Sequence, residues 1–103
     1  MPQGFKGAPM LTPQTAAQIF LYEEPVDMRK SFDGLSEIVE RSFQERVVSG
    51  SYFAFLNRQR DRIKVLYWDL DGLVIWYKRL EKGSFSRVGQ KRLTRREFLM
   101  LLE

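Results

Sequence analysis

Three carboxylates lie close together near the middle of this chain of 103 residues. Asp61, Asp69 and Asp71 are near neighbours, and paired carboxylates can hold magnesium for phosphoryl transfer. Asp69 and Asp71 also bracket a turn, where aspartate commonly hydrogen-bonds local backbone groups. The run Asp69-Leu70-Asp71-Gly72 begins like a calcium-binding loop, but Leu80 stands where that loop needs a glutamate. We therefore interpret all three as turn residues and predict neither a catalytic residue nor a metal site.

Two residue types that carry much of enzyme chemistry are missing from the chain. There is no cysteine, which removes disulfides and thiolate metal ligands, and no histidine, which removes imidazole general acid–base catalysis. We therefore predict that the protein is not an enzyme and uses no cofactor. No apolar run reaches 18 residues, and the N-terminus lacks the apolar core of a secretory signal. The sequence predicts a cytoplasmic location and no membrane partner.

The basic residues are the stronger candidates for function. Residues 58–103 contain twelve Lys and Arg against six Asp and Glu, whereas residues 1–57 contain five against seven. A basic half favours a polyanionic partner, most commonly nucleic acid, because guanidinium groups bind phosphates in bidentate fashion. The candidate nucleic-acid-binding residues are Arg58, Arg60, Arg62, Lys64, Lys78, Arg79, Lys82, Arg87, Lys91, Arg92, Arg95 and Arg96.

Aromatic side chains lie between these basic residues. Tyr67, Trp68, Trp76 and Tyr77 are of the type that stacks on exposed bases, although aromatics more often fill a core. Basic residues at strand ends have a structural alternative as well, because they discourage edge-to-edge aggregation.

Segments of different periodicity surround the aromatic region. Strands are predicted over residues 17–22, 52–57, 62–69 and 73–78. A helix is predicted over residues 27–43, with Asp27 as its N-cap and one apolar face. That face consists of Met28, Phe32, Leu35, Val39 and Phe43, and Gly34 is predicted to mark close packing against the sheet.

The dipeptide Asp71-Gly72 predicts a two-residue hairpin turn. That turn would place Lys64 opposite Arg79 and leave large apolar groups on both faces of the hairpin. One face is expected to cover the helix, and the other needs a second layer, a partner or a ligand.

A capping box stands near the end of the chain. Thr94 and Glu97 have the spacing at which each side chain accepts an amide of the first helical turn, and Leu93 and Phe98 flank them. The apolar helix that follows must dock on something, either the rest of a longer protein or an oligomer contact. Together these segments predict an α+β fold: a small antiparallel sheet of about four strands packed with one main helix, plus a short C-terminal helix. Residues 1–13 are predicted to be a flexible leader and residues 14–103 a single domain.

Long stretches of the sequence match a known family. They are PVDMRKSFDGL at residues 25–35, FAFLNR at 53–58 and DRIKVLYWDLDGLVIWYKRLEKGSF at 61–85. Over residues 10–103 the chain resembles the small accessory protein, often called TnpB, of the insertion-sequence-66 group of bacterial transposable elements. The resemblance implies a role beside a separate transposase, which carries the catalytic acidic residues. This accessory family is distinct from the RNA-guided nucleases that share the TnpB name.

Three functional hypotheses follow, with the transposase of the same element as the implied partner. The first is a non-catalytic accessory factor for transposition that binds DNA through the basic hairpin surface. Replacing Arg58, Arg60 and Arg62 together with glutamate is then expected to abolish binding without unfolding the domain. The second is an adaptor that docks the transposase or forms a homo-oligomer without contacting DNA. The third is a metal-dependent nuclease centred on Asp69 and Asp71.

Overall fold

The chain forms a five-stranded sheet with a helix on each face, and the computed structural model describes residues 11, 13, 17–85 and 92–102. The strand order is β4-β3-β2-β1-β5; β1 and β2 are parallel, and the other pairs are antiparallel. The elements are β1 (Ile19–Leu21), α1 (Phe32–Ile38), a π-helical turn (Val39–Phe43), a 3-10 turn (Val47–Ser49), β2 (Tyr52–Leu56), β3 (Arg62–Asp69), β4 (Gly72–Arg79), β5 (Arg92–Leu93) and α2 (Arg95–Leu102).

The α+β class is confirmed, with a short fifth strand, β5, that the sequence did not predict. Most of the predicted leader lies outside the described residues, although Leu11 and Pro13 are buried. The domain boundary at residue 13 therefore stays a prediction. Neither helix in the described part of the chain combines the length and hydropathy of a membrane span.

The main helix begins four residues later than predicted, with Ser31 rather than Asp27 at its N-cap. The carboxylate of Asp27 accepts the N–H of Arg29 at 2.9 Å, and the N–H of Lys30 bonds the Asp27 carbonyl at 3.0 Å. These contacts form a separate turn. The carbonyls of Met28 and Lys30, which a helix would use for itself, instead accept hydrogen bonds from the side chain of Lys64. The helix consequently starts only at Phe32.

The apolar face of the helix is largely as predicted. Leu35, Val39 and Phe43 are buried, whereas Phe32 is 43% exposed. Gly34 does not approach the sheet as expected. A Cβ there would meet side-chain carbons of Lys30 at 3.3 Å, so its close neighbour is the turn that precedes the helix.

The sheet has a buried core on each side. On the α1 side, Phe53, Phe55 and Leu66 pack with the helix. On the opposite side, Ile63 and Val65 pack with α2 and other segments. Strand alternation sends successive residues to opposite faces. The second apolar face of the hairpin is therefore covered by the chain's own C-terminal helix.

The turn between β3 and β4 lies one residue earlier than predicted. Asp69 pairs with Gly72, so Leu70 and Asp71 form the turn, and Lys64 lies opposite Tyr77 rather than Arg79. The two registers place the same side chains on the same faces, so the alternating pattern cannot distinguish them. The observed register brings Leu66 opposite Ile75 on the α1 side and places the Lys64 ammonium 4.9 Å from the centre of the Tyr77 ring.

Leu70 adopts an unfavourable backbone conformation at this turn. Its φ is 54°, in the left-handed region, and its side chain is 91% exposed. Left-handed geometry costs a non-glycine residue about 1–2 kcal/mol, and glycine avoids this at the expense of about 0.5–1 kcal/mol of chain entropy. We expect Leu70→Gly to raise the free energy of unfolding by up to about 1 kcal/mol, measured by urea denaturation. Leu70→Val is the matched comparison and is expected to lower it, and a reversed order of the two variants would contradict this explanation.

Candidate nucleic-acid interface

An open cleft lies where the turn at residues 25–29 meets the loop between β2 and β3. Its volume is about 780 Å³. We call it the arginine cleft, and it is lined by Pro25, Val26, Asp27, Met28, Arg29, Asn57, Arg58, Gln59, Asp61, Arg62 and Tyr77. Two segments that are some thirty residues apart in the sequence therefore form one concave surface, and each contributes arginine.

Asp27 orients the arginine that the first segment contributes. The guanidinium of Arg29 donates to both oxygens of the Asp27 carboxylate, with distances of 2.7–3.1 Å. This side-chain bond, helped by the N–H of Arg29, lowers the pKa of Asp27 to about 2. The carboxylate is ionised at neutral pH, and because its pKa is lowered, the pair is lost only as the pH falls below the ordinary range of an aspartate toward that value.

Asn57 shapes the second segment. Its Oδ1 accepts the N–H groups of Asp61 at 3.1 Å and Arg62 at 3.0 Å, and its Nδ2 donates to the Asp61 carboxylate at 2.6 Å. The loop is thereby closed with the exposed Arg58 at one end and the half-buried Arg62 at the other. The Asp61 carboxylate serves this loop, and the described residues contain no cluster of three metal-ligating side chains.

Lys64 is an internal residue rather than part of the surface. It is 7% exposed, and its Nζ donates to the carbonyls of Met28 and Lys30, both at 2.7 Å. The Tyr77 ring lies on another side of the ammonium. Burial removes Lys64 from the set of phosphate ligands that the sequence predicts. It instead ties the turn that carries Arg29 to the sheet.

Arg60 also has a structural contact. Its φ is 61°, and its guanidinium donates to the carbonyl of Phe85 at 3.1 and 3.3 Å. The N–H of Phe85, a buried residue, in turn donates to the Arg60 carbonyl at 2.6 Å. Glutamate at position 60 would remove these bonds. The predicted triple substitution is therefore not a clean surface change, and Arg60 is better left intact.

The remaining predicted residues are divided among different surfaces. Arg79 lies beside the cleft next to Arg62 and is paired with Glu81 at 3.1 Å, and Lys82 is exposed just beyond it. Lys78 points to the opposite face, where its Nζ lies 3.4 Å from the carbonyl of Leu102 at the end of α2. Arg92, Arg95 and Arg96 are exposed around β5 and the start of α2, and Arg87 and Lys91 lie outside the described residues.

The strand order separates the last group from the cleft. Arg92 is on β5 at one edge of the sheet, whereas Arg79 is on β4 at the other. Four strand spacings of about 4.8 Å lie between them. The capping box at the start of α2 is confirmed, with Glu97 N–H bonded to Thr94 Oγ1 at 3.1 Å and Thr94 N–H bonded to Glu97 Oε1 at 2.8 Å.

The aromatic residues differ in their availability. Trp68 and Trp76 are both half-buried, whereas Tyr77 is 47% exposed and lines the cleft. Arg29 is a site residue that the sequence does not predict, because the pattern favours Asp27 as a helix cap. The signal that would have found it is the two-residue spacing of Asp27 and Arg29, which suits a turn as well as a helix start.

Comparison with known proteins adds an independent observation. Residues 17–103 match the sequence model of a family described as IS66 Orf2-like protein. A curated relative from Sinorhizobium fredii, described as uncharacterized protein y4jC, is 32% identical over 76 residues, which is 74% of this chain. The match covers 65% of that relative, so the chain spans just under two thirds of its length. No solved structure matches the chain significantly.

Proposed function

Because the chain belongs to the IS66 Orf2-like family, whose role in transposition is accessory, we propose that it assists its transposase by binding DNA at the arginine cleft. The observation that carries this proposal is the convergence of Arg29, Arg58 and Arg62 on one open surface beside a half-exposed tyrosine. The cleft is formed by residues 25–29 and 57–62, which fall within or beside the motifs that resemble the family.

The chemistry of the cleft suits a phosphodiester backbone. Arg58 in the loop and Arg62 at the start of β3 present two guanidinium groups, and each group has donors in the fork geometry that matches phosphate oxygens. Arg29 uses Nε and Nη2 for Asp27, which leaves Nη1 for a phosphate. Arginines already held by the protein lose less conformational entropy when they bind.

Tyr77 supplies an apolar surface next to these charges. Its hydroxyl lies 3.5 Å from Nη1 of Arg62, and Lys64 holds one side of its ring. Stacking of a base on an aromatic ring contributes about 1–3 kcal/mol and depends little on sequence. The cleft is therefore suited to an accessible base or strand end next to a bound phosphate.

The test is fluorescence anisotropy with a labelled duplex that carries the terminal repeat of the element. We expect salt-sensitive binding, because each neutralised phosphate releases counterions. Arg58→Glu/Arg62→Glu should weaken binding by about 100-fold at low salt. It should also reduce the slope of log affinity against log salt by about 2, since each lost contact accounts for about 0.9.

The matched control is Arg41→Glu/Arg46→Glu, which changes the charge equally at two exposed arginines outside the cleft. Equal weakening by both double variants would mean a non-specific charge effect and would contradict the cleft. Loss of binding only on replacing Arg92, Arg95 and Arg96 would move the interface to α2. No binding at low salt would remove the DNA proposal and leave the adaptor, tested by retention of the transposase after nuclease treatment.

A further inference from the structure

Strand β4 stands at the edge of the sheet formed by the described residues. Among those residues it pairs with β3 alone, as the last strand in the order. Its N-terminal pair is Asp69 with Gly72 across a two-residue turn, and beyond its C-terminal end the N–H of Leu80 donates to the Asp61 carbonyl at 2.7 Å. Both observations place the even-numbered residues of β4 in hydrogen-bonded pairs with β3, because such pairs alternate along an antiparallel ladder.

The odd-numbered residues of β4 therefore direct their backbone groups outward. They are Leu73, Ile75, Tyr77 and Arg79. The hydrogen bonds between β2 and β3 agree with this assignment. The N–H of Asn57, after β2, donates to the carbonyl of Arg62, so the even-numbered residues of β3 direct their backbone groups toward β2 and away from β4. Within the described part of the chain, no backbone partner bonds these four outward residues.

The central part of this edge lacks the features that usually prevent strand addition, and its charged residues, Lys78 and Arg79, stand only at the C-terminal end. Natural edges are short, charged, kinked or interrupted by proline. Strand β4 is eight residues long, and from Leu73 to Tyr77 it contains neither charge nor proline. Among the described residues, the opposite edge strand, β5, is two residues long. The described part of β4 therefore offers more backbone groups to another strand.

We propose that two copies of the chain pair antiparallel along β4 and form one continuous sheet about a two-fold axis at Ile75. In a two-fold pairing, each residue with outward backbone groups must lie opposite another such residue. The possible registers therefore differ from one another by two residues. With the axis at Ile75, Leu73 lies opposite Tyr77 of the second copy, and Val74 lies opposite Trp76. Most of the strand is thereby matched by apolar residues.

Charge complementarity selects this register from its neighbour. With the axis at Ile75, Asp71, the turn residue that directly precedes β4, comes level with Arg79 of the second copy, and symmetry repeats this pair at the other end. The alternative register of equal length, centred on Trp76, sets Asp71 opposite Glu81 and Leu73 opposite Arg79. Opposed charges directly across two strands stabilise pairing, and like charges destabilise it.

Sedimentation equilibrium of the full chain at low salt tests the proposal. The expected mass is twice the chain mass of 12.2 kDa at concentrations of tens of micromolar. Asp71→Arg and Arg79→Asp are each expected to weaken association by about tenfold, because each places like charges opposite one another twice. The double variant Asp71→Arg/Arg79→Asp exchanges the charges and should return to within about threefold of the original affinity.

Ile75→Pro provides a second line of evidence, since it removes one outward N–H without breaking a hydrogen bond to β3. It should give a monomer whose circular dichroism matches that of the original chain. If it does not fold, the charge exchange decides. A monomer at 100 micromolar overturns the proposal, and so does a dimer that neither Ile75→Pro nor the charge variants weaken. These results do not depend on DNA binding, so the two proposals can fail separately.

Discussion

Replacing Lys64 with methionine is expected to lower the free energy of unfolding by about 3 kcal/mol, although the strand and the volume of the side chain are retained. The ammonium of Lys64 is buried and donates to two carbonyls at 2.7 Å, with the Tyr77 ring nearby. Hydrogen bonds to a charged group contribute about 1.5–3 kcal/mol each, and methionine leaves both carbonyls without their donor. The loss is large because one side chain holds the turn to the sheet.

Lys82→Met is the control, since Lys82 is exposed and the same charge is removed. It is expected to change stability by less than about 0.5 kcal/mol. Urea denaturation followed by tryptophan fluorescence measures both variants. A second readout separates stability from positioning: folded Lys64→Met should also bind DNA more weakly, because the turn that carries Arg29 is released. Stability equal to that of Lys82→Met would contradict the structural role assigned to Lys64.

Phe98→Ala is expected to lower the free energy of unfolding by about 3–5 kcal/mol. Phe98 is fully buried, and with Leu101 and Leu102 it fixes α2 on the sheet face opposite α1. Removing a buried aromatic side chain loses its transfer free energy and leaves a cavity. An effect of this size is expected because α2 packs on the sheet of its own chain.

Met100 offers a control on the same helix, because it is 60% exposed. Met100→Ala should change stability by at most about 0.5 kcal/mol. Trp76 packs against the α2-side core, so tryptophan fluorescence, to which Trp68 also contributes, responds to the loss of this face during denaturation. If Phe98→Ala unfolds at the same urea concentration as Met100→Ala, the helix does not contribute to the core of the monomer.

The two proposals have a joint geometric consequence. In a dimer paired along β4, both arginine clefts lie on the same side of the joined sheet. Strand rise and strand spacing place the two copies of Arg62 on the order of 30 Å apart. One turn of B-DNA is about 34 Å, the spacing at which paired protein sites commonly contact one face of a duplex. The two proposals together therefore predict that one dimer contacts a single DNA segment.

The sequence by itself determined the local elements and the family. Alternation along residues 62–79 identified both strands and the face of each side chain, because a strand repeats every two residues. The spacing of Thr94 and Glu97 identified the start of α2, since a capping box needs only residues within one helical turn. The DNA contact and the predicted partners remain predictions.

Only the tertiary structure decided the turn position, the start of α1 and the membership of the basic surface. Moving the turn by one residue leaves every side chain on the same face of the sheet, so the alternating pattern does not define the register. In the folded structure Leu66 lies opposite Ile75. Lys64 has the same sequence signature as a surface lysine, yet it bonds carbonyls 34 and 36 residues away. The Asp61 carboxylate, the first candidate for chemistry, accepts a hydrogen bond from the Asn57 side chain within its own loop. Local patterns cannot specify such distant partners, because each partner becomes available only when the chain has folded around it.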